Sequence, residues 1–281
     1  MSRQLHEEIR DKQKATWNKF SGGWKKWDEV VMSFLSPMGQ AMIDYLKPIE
    51  LHSILDIAAG TGEPGLTMAS MMKRGKVTIT DLAEEMLVAA KEKAVMRRIS
   101  NISFHACDVM HMPFPDNNYD AVSCRFGFMF FPDMQLAANE MYRVLKPGGR
   151  IAAAVWDVPE KNFWVTATMG TIMRMMNLVP PPPEEPGMFR CAKPDRMKEI
   201  FTKAGFSDYK EIEIKSFLKT GTADKYWEMI TEVGAPIAAA LSLADDELYQ
   251  KIKQEVTGLI QANYPKEVAI EGNAIILMAY K

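Results

Sequence analysis

Between Leu51 and Trp156, short apolar runs rich in Val and Ile alternate with longer segments of helical period. This alternation is what most narrows the folds open to the chain. Strand, helix, strand in repeated succession requires crossover connections, so the sheet must be mainly parallel, with helices on both faces. The spacing predicts strands at 53–58, 76–80, 102–106, 119–124 and 150–156, and helices at 62–73, 83–98 and 133–145. The last of these helices is expected to stop at Lys146-Pro147-Gly148-Gly149, where proline ends the helical run and the glycines permit a turn into the next strand.

After Trp156 the regularity loosens and then returns. A helix at 194–204 stopped by Gly205, a strand near 209–218 and a final strand near 273–280 bring the strand count to seven. The last two strands enclose a long excursion, about 222–264, that reads as two or three helices, and 161–176 reads as another ahead of the run Pro180 to Pro183, a stiff spacer. Residues 5–46 look helical, with Trp17, Phe20, Trp24 and Trp27 clustered around an expected break at Gly22-Gly23. Aromatics so placed serve packing, or a lid over a ligand. The organisation that follows is an N-terminal helical lid over 1–47 and a main domain over 48–281, with cap insertions at about 158–190 and 221–266.

Composition removes several function classes. Lys and Arg number 34 against 36 Asp and Glu, a net charge of -2, without the cationic surplus that binding to nucleic acid or anionic lipid starts from. Cys107, Cys124 and Cys191 are too few and too irregularly spaced for a disulfide framework or a zinc site. The first residues are charged where a secretory peptide needs an apolar stretch, and no segment approaches the roughly 20 apolar residues of a membrane helix. The expectation is a cytoplasmic protein without metal, nucleic-acid partner or membrane insertion.

The chemistry-bearing segment is Ile54-Leu55-Asp56-Ile57-Ala58-Ala59-Gly60-Thr61-Gly62-Glu63-Pro64-Gly65, which leaves the first strand and opens a helix. Its glycines let the backbone approach a ligand closely, and Pro64 suits a first helical turn. Gly60, Gly62 and Gly65 also match a nicotinamide-dinucleotide fingerprint, so the neighbouring acids have to discriminate. Asp56 is awkward beside a pyrophosphate but suits a cationic group such as an amino-acid ammonium. Asp81, ending the second strand, can accept both hydroxyls of a ribose. Asp108, ending the third, can accept an adenine amino proton while Val109 offers its N–H to a ring nitrogen. Each acid alone would serve equally well as a turn or cap residue. Three at successive strand ends point to one nucleoside ligand.

Four ordered motifs resemble those of class I S-adenosylmethionine-dependent methyltransferases: Leu55 to Glu63, Thr80 to Leu87, Asp108 to Asp120, and Tyr142 to Gly149. The match spans about 46–156, and within that superfamily the chain is most similar to the ubiquinone/menaquinone-biosynthesis C-methyltransferases. The resemblance implies an α/β, Rossmann-like sheet with an antiparallel terminal strand and helical cap elements. It also implies S-adenosyl-L-methionine as cofactor. Gly60, Thr61, Asp81, Leu82, Asp108, Val109 and the position of Arg125 would line that cofactor, and Asp56 and Gly62 would support its methionine end.

Two departures fall on the methyl-accepting side. The quinone group favours Ser-Phe-Gly-Leu-Arg-Asn after the fourth strand, where this chain reads Arg125-Phe126-Gly127-Phe128-Met129-Phe130, and its Tyr-Asp appears here as Trp27-Asp28. The cofactor expectation survives these changes; the quinone substrate does not follow.

A sulfonium methyl is already activated, so the protein's task is to hold a nucleophile in line behind it and to exclude water. Trp27, Phe126, Phe128 and Met129 are the expected acceptor contacts, and 22 methionines suit an adaptable apolar pocket as well as a plain core. The predicted function is therefore methylation of a small apolar or aromatic metabolite. A protein or nucleic-acid acceptor, or binding without turnover, are the alternatives. His111 and Asp28 are the candidate bases near the cleft, and the catalytic role stays unassigned.

Overall fold

In a computed structural model, which describes residues 3–180 and 182–281, the alternation closes into one seven-stranded sheet. The strands are β1 (Ser53–Ile57), β2 (Lys76–Asp81), β3 (Ile102–Ala106), β4 (Tyr119–Arg125), β5 (Leu145–Trp156), β6 (Ser207–Gly221) and β7 (Val268–Tyr280), in the order β3-β2-β1-β4-β5-β7-β6. All pairings from β3 to β5 are parallel, while β7 runs antiparallel to both neighbours. The chain builds outward from β1 to β3 and then returns to place β4 on the other side of β1. At such a reversal the connections diverge and leave a crevice at the carboxyl ends of the strands.

Helices α3 (Gly65–Met71), α4 (Glu84–Met96) and α5 (Met134–Val144) make the crossovers. Because both faces of the sheet are covered, β1 buries Ile54, Leu55, Asp56 and Ile57 in succession instead of alternating. α5 starts where Asp133 accepts from the N–H groups of Gln135 and Leu136, and α7 (Arg196–Ala204) ends on Gly205 at φ +103°. The excursion after β6 is three helices: α8 (Ala223–Val233), α9 (Ala235–Leu241) and α10 (Asp246–Asn263). α6 (Phe163–Met176) packs against α9 and α10. Within the proline run, Pro181 lies outside the described residues. No described helix is long and apolar enough to cross a membrane.

Two local expectations are corrected. Gly22-Gly23 does not break the N-terminal helix: α1 (Arg3–Lys26) runs through it, and the interruption comes at Trp27, ahead of α2 (Asp28–Leu46). Gly23 serves packing instead, since a Cβ there would stand 2.1 Å from the Glu232 carbonyl oxygen on α8. Nor is 146–149 a free turn. α5 stops at Val144 and the chain is already extended in β5, with Gly148 N–H donating to the Lys281 carbonyl and Lys281 N–H to that of Gly149.

Asp56 fastens these layers together. Its carboxylate is fully buried; Oδ2 accepts the Gly65 N–H at 2.8 Å and Oδ1 the Ser123 hydroxyl at 2.6 Å, while its carbonyl accepts from Thr80. One residue thus joins β1 to β2, to β4 and to the start of α3. Gly65 must be glycine for this approach, because a Cβ would lie 2.7 Å from Oδ2.

Burial pushes the Asp56 carboxyl up to about 7, against the opposing pull of its two donors and of Arg125. The folded protein therefore keeps a proton that the unfolded chain has released, and this group's contribution to stability, complete below about pH 4, is lost as pH rises toward the folded value. Urea unfolding from about pH 4 to about pH 7 should show stability falling on the order of 1 kcal/mol per pH unit from this group, and Asp56→Asn should flatten that slope. Gly23→Ala should cost about 1–3 kcal/mol in the same assay by forcing α1 away from α8. Gly22→Ala, with nothing within 4 Å of its Cβ, should be neutral or stabilise by up to about 1 kcal/mol.

Candidate active site

The carboxyl ends of β1, β2 and β4, with the segment after β3, open onto one cavity of about 1140 Å³. The loop from Ala58 to Thr61 forms its floor. Gly60 adopts φ +54° with nothing within 4 Å of where a Cβ would stand, so this backbone faces open space that a ligand can approach. Its N–H donates to Asp81 Oδ2 at 2.8 Å, and the N–H of Ala83 donates to Oδ1 at 2.9 Å. Burial raises the Asp81 carboxyl, and these backbone donors pull it back toward the ionised form. Asp108 accepts the Met110 N–H with Oδ1, while Oδ2 lies 4.0 Å from the Arg10 guanidinium of α1. Between the two acids, burial and their charges push the Cys107 thiol up to about 11, which keeps it neutral. Arg10, Gln13 and Trp17 close this end from above.

The structure brings Gly60, Thr61, Asp81, Leu82, Asp108, Val109 and Arg125 into the cavity wall, together with Phe126 and Met129. Four expected contacts stand behind it. Asp56 is sealed beneath the loop, and Gly62 turns its bare Cα toward Leu66, where a Cβ would lie 2.6 Å from Cδ1. Trp27 donates its indole N–H to Glu232 at 2.8 Å, fixing the start of α2 against α8. Phe128 is fully buried between Phe131 and Phe201, with ring centroids 5.4 and 5.6 Å away. The positive φ at Phe126 and the single helical turn over Phe128–Phe130 place Phe126 and the otherwise buried Met129 against the cavity and Phe128 in the core. Phe126, at φ +60°, is held there by stacking on Trp156 at 4.2 Å between centroids.

Neither candidate base faces the cavity. His111 is 78% exposed outside it. Asp28 is engaged by Lys93, which also donates to Thr61 Oγ1 at 2.9 Å. The Lys93 ammonium is buried, and its desolvation lowers its pKa against the pull of Asp28. Sequence reasoning missed this residue because Lys91-Glu92-Lys93 reads as a solvated face. The signal was its spacing from Met86 and Ala90, both buried on the same side of α4.

Beyond Arg125 the walls turn apolar. Met169 and Met173 of α6, Met229 and Ile230 of α8, and Ile237 of α9 face Phe34 and Leu35 of α2. Residues of 178–180 and 182–196 rim the opening. They are tied down where the Gly187 N–H donates to the Met129 carbonyl and where Arg190 donates to the carbonyls of Phe131 and Pro132. No cluster of His, Cys, Asp and Glu suited to a metal ion occurs among the described residues.

Comparison with known proteins agrees with this arrangement. A family model described as a methyltransferase domain matches residues 54–149. The ubiquinone/menaquinone biosynthesis C-methyltransferase UbiE of Cellvibrio japonicus is 38% identical over 114 residues, 40% of this chain and 46% of that protein. A demethylmenaquinone methyltransferase of Thermus thermophilus is 40% identical over 109 residues, 39% of this chain and 49% of its own length. The chain thus spans about half the length of these two relatives. A demethylmenaquinone methyltransferase of Listeria monocytogenes is 33% identical over 171 residues, covering 55% of this chain and 70% of the relative. The fold is shared with the YcgJ protein of Bacillus subtilis, at a TM-score of 0.58 and 20% identity over 86% of this chain and 97% of that one. It is shared too with a Haemonchus contortus phosphoethanolamine N-methyltransferase, at 0.59 and 19% over 97% and 60%. With these motifs, this strand order and a relative one-third identical over most of its length, the chain belongs to the class I S-adenosylmethionine-dependent methyltransferases.

Proposed function

We propose that this protein transfers the methyl group of S-adenosylmethionine to a small, apolar or aromatic metabolite by in-line displacement. The observation that carries the reading is one continuous cavity. At about 1140 Å³ it exceeds the usual size of a site for one small molecule, and its polar and apolar ends are continuous. A nucleoside fits the end with Asp81 and Asp108; an acceptor fits the methionine-lined end. The names of the curated relatives, demethylmenaquinone methyltransferase and ubiquinone/menaquinone biosynthesis C-methyltransferase, support an acceptor of apolar character.

Each wall has its task. Asp81, already oriented by two backbone donors, retains lone pairs for ribose hydroxyls. Among the described residues Asp108 Oδ2 accepts no hydrogen bond, with Arg10 and His111 each 4.0 Å away, which leaves it to an adenine amino group, and Val109 stands next to it. The open backbone of Gly60 and Thr61 receives the methionine end, held from below by Asp56 through Gly65 and from the side by Lys93. When bound, S-adenosylmethionine supplies an activated sulfonium methyl. The aromatic and methionine walls exclude water and align the acceptor, an effect that can contribute roughly 7 to 11 kcal/mol.

Calorimetry should show S-adenosylmethionine binding to the wild type, and Asp81→Ala should weaken it at least about tenfold by removing charged acceptors from the ribose. The thermal unfolding of the ligand-free variant separates this loss from misfolding. Incubation with labelled cofactor and a fractionated small-molecule extract should yield a product heavier by one methyl. No heat of association in the wild type would overturn the reading, and product formed only with protein or nucleic-acid fractions would replace the acceptor class.

A further inference from the structure

Arg125 is a buried cation with no carboxylate to pair with. It ends β4, lines the cavity and is 9% exposed, yet among the described residues no ion pair within 4.0 Å reaches it and its one side-chain hydrogen bond runs from Nη2 to the Met32 sulfur at 3.4 Å. The three acids whose fields act on it are all committed elsewhere. Asp28 is held by Lys93 and Thr61, Asp56 by Gly65 and Ser123, and Glu63 by Arg97 and Thr67. Arg190, the other buried arginine in the wall, donates through Nη1 and Nη2 to the carbonyls of Phe131 and Pro132, while its Nε is buried without a partner. The free donors of the Arg125 guanidinium open onto the cavity, where an anionic group of a ligand can accept from them.

The surroundings indicate which molecule supplies it. Among the described residues Arg125 forms no ion pair with Asp81 or Asp108 at the nucleoside end, nor with Glu184 on the rim, which pairs with Arg196; it contacts Met32 on α2 and is followed by Phe126, stacked on Trp156, where the apolar compartment begins. A cofactor with a positive sulfur brings a second cation into the same cavity, and an anionic oxygen between two cations lowers the energy of both.

Building on the proposed function, we infer that the methyl acceptor carries an anionic oxygen, a carboxylate or an ionised acidic hydroxyl, which binds on the Arg125 guanidinium while its apolar body fills the compartment between α2, α6, α8 and α9. Arg125 is then a specificity-determining residue. An oxygen bound as its anion has already released its proton to solvent, which accounts for an acceptor end whose walls contain no histidine.

The test uses the full chain saturated with S-adenosylhomocysteine and three probes of one shape: naphthoate, nitronaphthol, whose anion is coloured, and neutral nitronaphthalene. The wild type should bind an anionic probe at least about tenfold more tightly than the neutral one. Preference for naphthoate alone assigns a carboxylate; a coloured bound nitronaphtholate assigns an acidic hydroxyl. Arg125→Met should abolish the preference and Arg125→Lys should restore part of it, with the affinity for S-adenosylhomocysteine changing less than about threefold. If the wild type binds all three probes alike, or if Arg125→Met keeps the anion preference and loses S-adenosylhomocysteine, the inference is overturned and, in the latter case, the arginine serves the cofactor's own carboxylate. The wild-type arm decides even where the methionine variant fails to fold. Failure of S-adenosylhomocysteine to bind the wild type would instead bring down the proposed function, so the two failures are distinguishable.

Discussion

The buried carboxylate of Asp56 is the point on which the site depends. A loop that must present bare backbone to a ligand cannot be held by side chains above it, because those would occupy the ligand's place. It has to be anchored from beneath. Asp56 does this by accepting the N–H of Gly65, the first residue of α3, and the hydroxyl of Ser123 on β4, so that the loop between them is stretched across the switch point of the sheet. Desolvating a carboxylate is expensive, and two short hydrogen bonds with the nearby Arg125 charge offset only part of it.

The same economy of position governs the rest of the cavity. One end is made by residues close in sequence to strand ends, where geometry is dictated by the sheet. The other is assembled from α2, α6, α8 and α9, which are far apart in the chain and meet only because β6 and β7 return the chain to the sheet edge around the helical excursion. Lys93 and Trp27 lock the two parts together: the first ties α4 to Asp28 at the start of α2, the second ties the preceding residue to α8. A scaffold of this kind lets the acceptor end vary while the nucleoside end stays constant.

Much of this was legible in the amino-acid order. Period-two and period-3.6 patterns, the glycine loop and the acids at three strand ends determined the seven strands, the crossover helices and the placement of Asp81, Asp108 and the Gly60 loop around one crevice, because these features are local and their geometry follows from backbone rules. Only the tertiary structure decided which face each side chain takes where the local pattern is silent. Gly22-Gly23 looked like a hinge, yet the second glycine is there to let two helices touch. Phe126, Phe128 and Met129 looked alike as apolar contacts, yet a residue at positive φ sends the first to the cavity and the turn after it sends Phe128 to the core. Lys93, in a run of charges on α4, is buried against Asp28, and Arg125, expected in the cofactor wall, lines the cavity with a guanidinium that no described carboxylate pairs. Whether a charge is paired is settled by groups brought from distant parts of the chain, and no window of sequence contains them all.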